Sequence, residues 1–81
     1  MKGKIASMQN DRDELKKFGK HIKSLRKGSK QTLEALCYKN GLEPSTISRI
    51  ENGIVEAKYL TLLKLSKAFN KDLKDLFDFQ D

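Results

Sequence analysis

The sequence predicts an all-α fold, and three observations carry that expectation. Apolar residues recur at three- and four-residue spacing through most of the chain. Helix-forming residues dominate, with a single Pro at position 44. The residues that readily stop a helix, Gly28, Gly41, Gly53 and Asn70, fall between the apolar stripes. A chain of 81 residues buries only about 60–65 % of the surface its unfolded form exposes, which leaves room for one small core. That excludes a Rossmann unit with a substrate domain, a TIM barrel and any two-lobed enzyme. One Cys cannot form an internal disulfide, and no Cys/His cluster has the makings of a structural zinc site. No apolar run approaches a membrane span or a signal sequence. The expectation is a soluble, cytoplasmic domain with neither metal nor cofactor.

Residues 1–10 show no sustained period and are expected to form a flexible leader, with Ile5 and Met8 able to dock on the core. The single domain is expected over residues 11–79. Asp11 followed by Glu14 has the form of a capping box opening a first helix. Leu15, Phe18, Ile22 and Leu25 make its apolar stripe, and Lys16, Lys20, Lys23 and Lys27 lie on the opposite face. Gly28-Ser29 ends it, with Gly28 expected in the left-handed conformation. Thr32 suits the N-cap of a second helix that turns Leu33, Leu36 and Cys37 inward and stops at Gly41. Pro44 fits the first turn of a third helix, with Ile47 and Ile50 inward and Asn52-Gly53 as its close. A fourth helix over about Tyr59–Phe69 presents Leu62, Leu65, Ser66 and Phe69, with Asn70 as a left-handed stop. Asp72 caps a short fifth helix containing Leu73, Leu76 and Phe77.

Charge is uneven. Residues 1–30 hold ten basic and three acidic side chains, a net of +7, against +6 for the whole chain. A basic amino-terminal third suits a polyanionic partner, although a solubilising face has the same composition. The informative segment is about 32–53, where two short helices meet at Gly41 across a connection of about three residues, the geometry of a helix-turn-helix. So tight a corner needs a small residue at the crossing, and Cys37 stands there as a packed, inert thiol.

The run Thr32-Leu33-Glu34-Ala35-Leu36-Cys37, then Gly41-Leu42, then Ile47-Ser48-Arg49-Ile50-Glu51-Asn52-Gly53 resembles the Cro/C1-type (Xre-type) helix-turn-helix regulators of phages and bacteria. The likeness continues through Thr61 to Phe69 and Asp72 to Phe77, and reaches back to Phe18–Arg26, about 60 residues in all. It implies a compact five-helix, lambda-repressor-like domain. It also implies sequence-specific binding of double-stranded DNA, by a homodimer on a palindromic operator, with residues 44–52 in the major groove. Base contacts are implied at Pro44, Ser45, Thr46, Ser48 and Arg49, with Arg49 suited to a guanine edge. Phosphate contacts are implied at Lys30, Gln31, Thr32, Asn52 and Lys58. Arg26 and Glu51 match a buried salt bridge of the family.

There are departures. Glu43 stands where the family prefers a Ser or Thr cap, and Ile54–Lys58 lacks the basic residues and Pro of relatives, which leaves Lys58 as that loop's phosphate contact. Ser66 replaces a core Ala, tolerable if its hydroxyl bonds a helix carbonyl. His21, the one His, is expected on the surface of the first helix. Neither convergent carboxylates nor a nucleophile with its base is in the pattern, so no catalytic residue and no enzyme is expected. A membrane-binding helix is disfavoured, because the apolar face of the first helix is needed for the core. The alternative reading is an antitoxin or other protein-interaction module, and a toxin or polymerase would be the protein partner. Leu60, Leu63 and Phe79 are apolar residues left over from the core stripes, and they mark the expected dimer surface.

Overall fold

The computed structural model describes residues 4–79. Four α-helices run in chain order, α1 (Lys4–Gly28), α2 (Leu33–Asn40), α3 (Pro44–Glu51) and α4 (Tyr59–Ala68), followed by a 3-10 helix, η1 (Leu73–Phe77). There is no strand among the described residues. The all-α class is as expected, but the fifth helix is a 3-10 helix. It has only five residues and is held by bonds three residues apart, Asp75 N–H to the Asp72 carbonyl at 3.0 Å and Asp78 N–H to the Asp75 carbonyl at 3.4 Å.

α1 starts earlier than the expected Asp11. The helix begins at Lys4, and Asp11 and Glu14 sit inside it. No Gly or Pro interrupts Lys4–Phe18, and adding residues to an existing helix costs little. Helicity therefore runs through residues read as a loose leader; the side chains of Ile5 and Met8 lie outside the described ones. The left-handed residue after α1 also differs. It is Lys30, at φ 60°, and not Gly28. Ser29 N–H still reaches the Leu25 and Arg26 carbonyls (3.0 and 3.1 Å) and Lys30 N–H the Lys27 carbonyl (3.0 Å). The helix thus tightens through one more turn before the chain reverses. Thr32 Oγ1 accepts from Ala35 N–H at 3.1 Å, capping α2, and Gly41 ends it at φ 65°.

The core is built from Ile22 of α1, Leu36 and Cys37 of α2, Ile47 and Ile50 of α3, Leu65 of α4, then Phe69 and Leu76. Ser66, also buried, donates its hydroxyl to the Leu63 carbonyl at 2.8 Å. α1 packs against α3 and η1, and α2 against α3 and α4. The crossing of α1 on α3 depends on Gly19. A Cβ there would stand 2.3 Å from the Ile50 carbonyl oxygen and 2.5 Å from that of Glu51. Gly53 closes the same corner from the other side: it has φ 71°, and a Cβ on it would stand 2.8 Å from Lys16 Cα.

The carboxyl-terminal segment folds back on α1. Phe77 and Phe79 lie 5.7 and 6.3 Å from Phe18 between ring centroids, and Phe79 lies 5.3 Å from His21. His21 Nε2 donates to the Asp75 carbonyl at 2.9 Å. His21 is therefore half-buried, not a free surface residue, because the returning segment covers it. Phe79 is covered by its own chain for the same reason and adds little apolar surface for a partner.

Candidate nucleic-acid interface

α3 has two unlike faces because its apolar residues follow the helical period. Ile47, Ile50 and Glu51 are buried, while Ser45, Arg49 and Asn52 are exposed on the opposite side. Ser48 lies half-buried beside them, and Pro44 and Thr46 sit half-buried at the two margins. Of the five residues expected at bases, Ser45 and Arg49 thus project furthest. Glu43 precedes the helix with no side-chain capping bond, so its carboxylate adds charge without closing the first turn. The carboxyl end of α3 is held by Arg26. Arg26 Nε donates to Glu51 Oε2 at 2.8 Å and Nη2 to Oε1 at 3.0 Å, a two-pronged pair whose side chains are 13 % and 5 % exposed. The Glu51 carboxylate raises the Arg26 pKa above its ordinary value, outweighing the opposite effect of burial.

The five residues expected at phosphates fall in three places. Lys30, Gln31 and Thr32 lead into α2, and Arg26 Nη1 donates to the Gln31 carbonyl at 3.4 Å, linking that entry to the bridge. Asn52 stands at the end of α3 in a groove shared with Asp13, Lys16, Lys20 and Lys23 of α1. Lys58 stands before α4, in a separate groove bordered by Glu43, Thr46 and Glu56. The structure thus joins Asn52 to lysines far from it along the chain. Their helical spacing was legible, but the place where α1 crosses α3 was not. Gly19 was likewise legible only as one of several glycines.

Cys37 is 1 % exposed, and burial pushes its thiol pKa up, so it is a protonated thiol at neutral pH. Any stability this shift supplies is present below the ordinary thiol range and is lost as pH rises through the higher folded value. Among the described residues no group of three His, Cys, Asp or Glu side chains could hold a metal ion, and no helix is long and apolar enough to cross a membrane.

The helix-turn-helix family profile matches residues 22–76, which includes α2, α3 and the bridge. Among solved structures, the fold is similar to that of the restriction-modification controller protein C.AhdI from Aeromonas hydrophila. The TM-score is 0.77 and the identity 29 %, covering 82 % of this chain and 96 % of that one. No curated protein matches the chain.

Proposed function

Because this chain belongs to the Cro/C1-type helix-turn-helix family of DNA-binding transcriptional regulators, we propose that it binds a two-fold symmetric operator as a homodimer, with α3 in the major groove. The observation that carries this reading is the outward face of α3, where Ser45 and Arg49 are exposed over a fully buried Ile47 and Ile50. In the groove, Arg49 pairs with a guanine edge, and Ser45 and Ser48 approach neighbouring bases, with Pro44 and Thr46 in van der Waals reach at the rim. The Thr32-capped start of α2, with Lys30 and Gln31, receives a phosphate at its positive end. Asn52 and Lys58 take phosphates on either side. The likeness to a restriction–modification controller protein supports a role as a transcriptional regulator.

Arg49→Ala should weaken the preferred site by about 1–3 kcal/mol per half-site and relax one base position, without lowering the melting temperature. Lys30→Ala keeps the same backbone demand at that position. It should weaken all sequences alike and reduce the salt slope by about one. Binding titrations on a site selected from random DNA, and on unrelated DNA, compare the two. If both variants lose specific and non-specific binding equally, Arg49 is not a base reader.

For the dimer, Leu60 and Tyr59 at the start of α4, with Ile54 in the preceding loop, remain 67, 63 and 65 % exposed. A second copy would cover these three; of the expected dimer residues Leu60 remains open, while Leu63 is half-buried and Phe79 is covered by its own chain. Sedimentation should give a dimer at micromolar protein, free or on DNA. A monomer in both conditions contradicts this part of the proposal.

A further inference from the structure

We infer that α1 adds a second phosphate-binding ridge to the interface: Lys16, Lys20 and Lys23 engage the DNA backbone beyond the segment that α3 reads. The inference rests on the DNA-binding reading above. The three lysines border one groove with Asn52, at the carboxyl end of α3, and all three are exposed. Lys17 lines the same groove, with its Nζ 3.7 Å from Glu14 Oε1. Glu51 also borders the groove, but Arg26 occupies its carboxylate, which leaves Asp13 as the acidic group at the rim. The groove is therefore strongly positive where it meets α3.

Placement follows from the close crossing of the two helices. Gly19 rests on the Ile50 and Glu51 carbonyls, and Lys16 backbone abuts Gly53. The lysine row is thus held in fixed relation to the recognition helix, and it cannot swing away from a duplex seated on α3. Lys16 to Lys23 spans about 10 Å along the helix axis at 1.5 Å per residue. Phosphates of one strand advance by about 3.4 Å each along the duplex, so a row of this length is long enough to reach more than one of them. Lys16 and Lys20 precede residues 22–76, so the ridge lies largely outside the part of the chain that matches the family profile.

The test is the salt dependence of binding by the triple variant Lys16→Gln, Lys20→Gln, Lys23→Gln. A charge-matched control carries Lys67→Gln, Lys71→Gln, Lys74→Gln, exposed on α4 and the segment after it. Both are titrated on a duplex carrying the preferred site and on unrelated duplex. The α1 variant should show a slope of log affinity against log salt that is shallower by about 2–3, equally on both duplexes. The control should stay close to the parent, and the triple Lys→Arg variant at 16, 20 and 23 should restore the slope. An unchanged slope, an equal change in the control, or a loss confined to the preferred site would overturn the ridge while leaving DNA binding intact. A parent protein that binds neither duplex would overturn the regulator reading and the ridge with it.

Discussion

Arg26→Ala is expected to destabilise the fold by about 3–5 kcal/mol, because it strands the Glu51 carboxylate where water hardly reaches. Glu51 is only 8 % exposed and accepts both of its Arg26 hydrogen bonds within 3.0 Å. For a domain of this size the loss corresponds to a fall in melting temperature of more than about 12 °C. Small domains hold only about 5–15 kcal/mol in total, so much of the protein would unfold under mild conditions. Arg26→Lys should recover little, since an ammonium cannot make the paired contact of a planar guanidinium. The double variant Arg26→Met, Glu51→Leu should recover much more, because removing both charges removes the stranded one. Thermal melts of the four proteins decide the matter, and an unchanged melt for Arg26→Ala would show that the bridge is not a stabilising element.

Gly19→Ala should destabilise by about 2–3 kcal/mol even though Ala is the better helix former by about 1 kcal/mol. The added methyl meets two backbone carbonyls of α3, and backbone cannot turn aside as a side chain can. α1 must lift from α3, loosening Ile22 and Ile50 together. The same exchange at Gly28 should have the opposite sign. Nothing lies within 4 Å of a Cβ at Gly28, and its φ is not positive. Gly28→Ala should therefore stabilise by about 0.5–1 kcal/mol. Denaturant titrations of both variants test the contrast, which fails if the two shifts share a sign.

Local signals were legible wherever one residue settles a local conformation. Gly41 must be left-handed, Pro44 cannot follow the first turn of a helix, and Thr32 has the hydroxyl that Ala35 N–H requires. The apolar inward residues of α3, Ile47 and Ile50, followed from its period alone. What stayed hidden depended on competition or on distant partners. Asp11 and Glu14 look like a helix start in isolation, yet nothing upstream breaks the helix that reaches them. Gly28 is the obvious reversal point, but the helix keeps its hydrogen bonds for one more turn and leaves the strain on Lys30. His21 and Phe79 are both exposed until residues 73–79 return across α1. The Arg26–Glu51 pair was legible only through the family resemblance, since 25 residues separate the two in sequence.

The Gly19 contact has a consequence for how the protein discriminates among sequences. With its first turn set by Pro44 and its last held by Gly19, Gly53 and the Arg26–Glu51 pair, α3 is preorganised before any duplex arrives. Little conformational entropy remains for α3 to lose on association. The same stiffness denies the protein any compliance. A site with altered spacing or an altered base cannot be met by bending the recognition helix, so the accommodation falls to the DNA through bending, twisting or narrowing of a groove. If α3 reads DNA through Arg49 and Ser45 as proposed, base steps that those two side chains never touch should influence affinity through the elastic cost of shaping them to an unyielding template.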